Sequence, residues 1–185
     1  MNELFNKYAS WQILQYFALN PTKEVYVKEI AKNLSLSPSI CSKTLRELLK
    51  SGILEKRSSG QGQAHYYKLS NNYLTKELKR FIGLFMIHEA GLVNKIAEAS
   101  EGLTSIALYG SYATGEFNEN SDIDLLVISS KKQKLRMRTL EQTIGKNINI
   151  QLFSIGQWLK MKKENDSFYL TVVKSHILLY GSELP

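Results

Sequence analysis

The stretch Tyr109-Gly110-Ser111-Tyr112-Ala113-Thr114-Gly115, followed by Ser121-Asp122-Ile123-Asp124-Leu125-Leu126-Val127, constrains this chain more than any other. The apolar run from Leu103 to Tyr109 predicts a buried strand. Gly110 permits a sharp turn at its end and a close backbone approach to a ligand. Ser111 is placed to cap a helix that starts there, and free amides at a helix start attract phosphate. The next strand carries Asp122 and Asp124, two apart. Strand side chains alternate between faces, so both carboxylates project on one side while Ile123 and Leu125 point into a core. Paired carboxylates repel each other and bind something positive. A hard divalent cation such as Mg²⁺ suits them, because it takes oxygen ligands and shares them with phosphates. Two readings stand at this point: a site for a nucleoside triphosphate with Mg²⁺, or a capped helix beside a strand that ends in surface acids.

Gly110-Ser111-x-Ala113-x-Gly115 and Ser121-Asp122-Ile123-Asp124-Leu125 together resemble the signature of minimal nucleotidyltransferases in the DNA polymerase β superfamily. The resemblance runs from about Leu103 to the C-terminus. It implies a small mixed sheet flanked by helices and a nucleotide bound through Gly110, Ser111, Gly115 and Ser121. It also implies Mg²⁺ at the catalytic acids Asp122 and Asp124. One departure stands out. Active members usually carry a third carboxylate on a neighbouring strand. The matching strand, Asn147-Ile148-Asn149-Ile150-Gln151-Leu152-Phe153, has no acid, and Asn149 aligns with the missing one. An amide cannot take a proton from an attacking hydroxyl.

The charge is unevenly spread. The chain of 185 residues carries +7, and residues 1–100 hold 14 Lys and Arg against 8 Asp and Glu. The basic excess therefore lies ahead of the acid pair, which suggests a polyanionic partner for the first half. The pattern there is helical: Leu4 to Leu19, then Val27 to Leu34, then a third helix capped by Ser37, opened by Pro38 and stopped at Ser51-Gly52. Ile40, Cys41, Thr44, Leu45 and Leu48 are expected to point inward. Ser39, Ser42, Lys43, Arg46 and Lys50 are left on the outer face. Ile53 to Arg57 and Ala64 to Leu69 form a hairpin around a glycine-rich loop.

Three helices and a hairpin over residues 4–70 resemble a winged helix-turn-helix domain. The resemblance implies double-stranded DNA as partner, read by Ser37, Ser39, Ser42, Lys43 and Arg46, with Lys56, Arg57, Gln61 and Gln63 as wing contacts. A protein-binding winged helix is the alternative.

Residues 71–100 predict one long helix capped by Asn72. Its run Phe81 to Ile87 is apolar on every side and must be covered on more than one face, by the other domain or by a second subunit. A homodimer through this helix is favoured. Beyond the acid strand, Lys131 to Arg138 opens a basic helix, Ser154 caps another, Phe168 to Lys174 is helical and His176 to Tyr180 is a last strand. The three histidines lack zinc-ligand spacing. No signal-peptide pattern is evident, and the one cysteine, Cys41, cannot form an internal disulfide. Both fit a cytoplasmic protein.

The expected fold class is α+β. It divides into a winged helix-turn-helix domain (1–70), a linking and dimerisation helix (71–100) and a minimal nucleotidyltransferase domain (101–185). Three functions follow: a DNA-binding transcription regulator whose second domain binds a nucleotide–Mg²⁺ complex, an active nucleotidyltransferase, or an antitoxin-like protein partner.

Overall fold

The computed structural model describes residues 3–58, 65–131 and 137–184. The chain is α+β and divides into two compact units, Met1–Ile82 and Gly83–Pro185.

The first unit holds α1 (Glu3–Asn6), α2 (Ala9–Leu19), α3 (Val27–Asn33), α4 (Pro38–Lys50), β1 (Leu54–Ser58) and β2 (His65–Leu69). Its core gathers Ile13 and Phe17 from α2, Ile30 and Ala31 from α3, Cys41 and Leu45 from α4, and Leu54, Tyr67 and Leu69 from the hairpin. The Ser37 hydroxyl accepts the Ile40 amide at 3.3 Å, with Pro38 in the first turn. That is the expected start of the third helix. Strands β1 and β2 pair antiparallel from Leu54–Leu69 to Ser58–His65. Val25 and Tyr67 exchange backbone bonds of 3.0 and 2.9 Å, so the extended piece before α3 adds a third rung to the wing. This is a winged helix-turn-helix.

Two expectations fail here. The first helix is broken at Lys7–Tyr8, where Gln12 Nε2 donates to the Asn6 carbonyl at 2.5 Å and ends α1, while Tyr8 is extended. Ile40 is 46% exposed on α4 rather than in the core.

Helix α5 (Tyr73–Glu89) crosses from one unit into the next. Asn72 caps it, accepting the Thr75 amide at 3.0 Å. The single long helix expected over 71–100 is in fact two, α5 and α6 (Leu92–Ala99). Gly91 sits at φ +65 between them, a left-handed conformation that closes one helix and opens the other.

The second unit continues with β3 (Leu103–Tyr109), α7 (Gly110–Thr114), β4 (Ile123–Ser129), α8 (Arg138–Ile144), β5 (Ile148–Phe153), α9 (Ile155–Lys163), α10 (Ser167–Lys174) and β6 (Ile177–Gly181). The strands form one mixed sheet in the order β5-β4-β3-β6. Here β4 and β5 run parallel and the other pairs antiparallel. Ala107, Leu126 and Ile128 pack with the fully buried Trp158 of α9 and Val172 of α10. Ile106, Leu108, Leu125 and Val127 are also fully buried, so the sheet is covered on both faces. Ser154 and Gln157 form a reciprocal capping box at α9. Gly83 lies where a Cβ would meet Tyr112 Cδ1 at 2.9 Å and Phe117 Cε1 at 3.2 Å. Only glycine lets the helix lie this close to those stacked rings.

Candidate nucleotide and DNA sites

The sheet register assembles the acid site. Tyr109, the last residue of β3, lies opposite Asp124 on β4, and Asp124 lies opposite Asn149 on β5. Gly110 follows Tyr109 directly at φ +69. A Cβ there would stand 2.6 Å from Asp124 Oδ2, so the carboxylate occupies space that only glycine leaves open. The Asn149 side-chain amide donates to Asp122 Oδ2 at 3.3 Å and to Asp124 Oδ1 at 3.2 Å. Asn147 donates to the other Asp122 oxygen at 3.0 Å. Both acids thus face one amide, on the same side of the sheet.

Electrostatics follow from this arrangement. Burial raises the Asp124 carboxyl above its ordinary range; the Asn149 hydrogen bond opposes the rise, and the charge of Asp122 adds to it. Burial pushes the Tyr109 hydroxyl up to about 12, with the charge of Asp124 contributing. The Tyr112 hydroxyl reaches about 12 by burial and the charge of Asp122, and it has no hydrogen-bond partner among the described residues. Among the described residues neither acid has a Lys or Arg partner.

Among the described residues no group of three or more His, Cys, Asp or Glu residues that could hold a metal ion occurs; the pair Asp122 and Asp124 offers two carboxylates. That pair suits Mg²⁺, which binds one or two carboxylates and completes its shell with water and phosphate oxygens. The fit rests on the cradle at Gly110, which leaves Asp124 Oδ2 room.

The other expected nucleotide residues are placed as follows. Ser111 lies inside α7 rather than capping it; the extended residue before the helix is Tyr109, which makes no side-chain cap. The cause is Gly110, whose positive φ turns the chain one residue earlier. Gly115 ends α7 at φ +75. The Ser121 hydroxyl accepts the Asn118 amide at 2.9 Å and so shapes the loop into β4.

A polar cavity of about 470 Å³ lies beside Asp122. Ser121 and Asp122 line it; Gly110, Ser111, Gly115 and Asp124 do not. Arg138 reaches it from α8, and Lys146 and Asn147 from the connection between α8 and β5. No spacing in the sequence marks Arg138 or Lys146 as cavity residues.

On the first unit, Ser37, Ser39, Lys43 and Arg46 are exposed along α4 and Ser42 is half-buried. Arg46 Nε donates to the Ser42 carbonyl at 3.2 Å, laying its guanidinium along the helix. Lys56 and Arg57 are exposed on the wing. Arg57 is already engaged, with Glu24 at 3.3 Å and Glu55 at 3.2 Å. Gln61 and Gln63 lie outside the described residues, as does most of the basic run after Lys131. Exposed Ile40 joins this face, an apolar side chain of the kind that meets a thymine methyl.

The nucleotidyltransferase domain family matches residues 91–179. No curated protein matches the chain. Similar solved structures include a toxin–antitoxin with AMP-PNP, at 22% identity over 51% of this chain and 74% of that one, TM-score 0.38. The adhesin competence repressor from Streptococcus pyogenes is 16% identical over 49% of this chain and 66% of that one, TM-score 0.39. A homodimeric winged helix-turn-helix DNA-binding domain from Mycobacterium bovis is 22% identical over 43% and 68%, TM-score 0.33. No helix among the described residues is long and apolar enough to cross a membrane.

Proposed function

We propose that this chain is a DNA-binding transcription regulator whose second unit binds a nucleotide with Mg²⁺ without turning it over efficiently. The observation that carries this reading is Asn149. Its amide ties Asp122 to Asp124 at the position opposite Asp124, where a third acid would be needed to accept a proton from an incoming hydroxyl. Asp122 and Asp124 would hold the cation, and Gly110, Ser111, Gly115 and Ser121 the phosphates. When bound, Mg²⁺ supplies charge neutralisation on phosphate oxygens. Ser37, Ser39, Ser42, Lys43 and Arg46 would enter the major groove, with Lys56 and Arg57 on the flanking backbone.

A homodimer fits the two-fold habit of helix-turn-helix proteins. Tyr73, 84% exposed, and Leu74 at the start of α5 supply apolar surface for it.

The family match over 91–179 supports a second reading, an active nucleotidyltransferase that moves a nucleoside monophosphate onto a hydroxyl or amine. Incubation with labelled nucleoside triphosphates, Mg²⁺ and cell extract separates the two. The expected result is no transfer, together with DNA binding that responds to nucleotide. Label transfer that disappears in Asp124→Ala would overturn the regulator reading.

A further inference from the structure

The cavity beside Asp122 is unlike an ordinary ligand pocket. Its volume, about 470 Å³, is of ligand size, yet no apolar side chain lines it. An occupant meets charged and hydrogen-bonding groups together with the aliphatic stems of the longer side chains. It is built from the loop that leads into β4 and from the α8–β5 segment.

Part of this lining is already engaged. The Glu141 carboxylate accepts the Ile148 amide at 3.1 Å, the Lys146 ammonium donates to the Glu119 carbonyl, and the Asn147 amide donates to Asp122. These bonds fix the walls. Other groups are left over. The Arg138 guanidinium and the Gln142 amide have no partner among the described residues. Lys146 keeps N–H donors to spare, since an ammonium has three. Each Asp122 oxygen accepts one bond, from Asn147 or Asn149, and can accept another. The lining holds two cations and an amide that suit an anionic group, and three carboxylates, Glu119, Asp122 and Glu141, that call for a hydroxyl or amine donor on the same occupant. A guanidinium fork matches phosphate or carboxylate oxygens in pairs.

We propose that this cavity is a ligand site separate from Gly110 and Ser111. It takes a small polar molecule with one phosphate or carboxylate and at least one hydroxyl or amino group. The anion rests on Arg138 and Lys146, and the hydroxyl or amine points toward Asp122. Because Asn147 joins the cavity wall to Asp122, an occupant changes the surroundings of the acid pair. The inference does not depend on nucleotide or metal binding.

Two-dimensional NMR of the full chain, without nucleotide or divalent cation, tests it with three probes: glycerol 3-phosphate, glycerate and glycerol. Saturable shifts of the Gln142 and Asn147 side-chain amides are expected with one or both anions and not with glycerol. The anion that binds more tightly identifies the charged group. Arg138→Ala should weaken binding about tenfold or more, and Arg138→Lys less. The probes carry no nucleobase or triphosphate and no divalent cation is present, so a failed nucleotide reading does not touch the outcome. Absence of saturation with both anions, equal binding by Arg138→Ala, or shifts centred on the Gly110 and Ser111 amides would overturn the proposal. The exposed Gln142→Ala variant gives a second reading of the same site should Arg138→Ala fold poorly.

Discussion

Replacing Gly110 by alanine tests the acid site through two effects that can be separated. The first is backbone. At φ +69 an L side chain costs about 1–2 kcal/mol. The second is local. The new methyl would stand 2.6 Å from Asp124 Oδ2, well inside van der Waals separation, so the carboxylate must swing away from Asn149 and from Asp122. Gly91→Ala is the matched control: φ is +65, but nothing lies within 4 Å of its would-be Cβ. Both variants should lose about 1–2 kcal/mol in urea denaturation. Only Gly110→Ala should also lose stabilisation by Mg²⁺ with a nucleoside triphosphate, a gain of about 2.7 kcal/mol at a hundredfold excess over Kd in the parent. If Gly110→Ala retained that gain in full, the claim that Asp124 is cradled by Gly110 to meet a cation would be refuted.

Asn149→Asp would place a third carboxylate against Asp122 and Asp124. It should destabilise the cation-free protein by about 1–3 kcal/mol at neutral pH, recover with Mg²⁺, and raise nucleotide transfer in the labelling assay; an unchanged Mg²⁺ response would count against the register described. Lys43→Ala and Arg46→Ala should each weaken DNA binding and lower the salt slope by about 0.9 for each phosphate that is no longer neutralised, measured by fluorescence anisotropy. Asp124 has a raised carboxyl, so folding is penalised as pH climbs from the ordinary carboxylate range through the raised folded value, and the penalty is full above it. Asp124→Asn should therefore stabilise the cation-free protein near neutrality, with the gap closing in mild acid; a gap that widens on acidification would contradict the assigned direction.

The features legible in the sequence are those fixed by short-range chemistry. Ser37-Pro38 announces α4, alternation puts Asp122 and Asp124 on one face, and alignment with the family signature singles out Asn149, whose strand lies beside β4. Gly91 shows where the signal fails. In an apolar helical stretch a glycine reads equally as close packing or as a stop, and Gly83 and Gly91 do one each. The break after Asn6 is hidden because the apolar spacing continues across it, while the group that ends α1 is a glutamine amide six residues on. Ile40 follows inward periodicity yet stays exposed, because α4 turns only a narrow stripe toward its core. The cavity at Asp122 draws residues 119–122 together with 138–147, a meeting made by the parallel pairing of β4 and β5 that no local pattern encodes.

Asn149 has a consequence at the level of the gene. Asparagine and aspartate codons differ by one base, an A-to-G change in the first position. The residue that joins the two acids is thus a single transition away from one that would complete a three-carboxylate cluster on the same strand. On the proposed reading, a lineage of such chains could cross between holding a nucleotide and reacting with it without rebuilding the sheet.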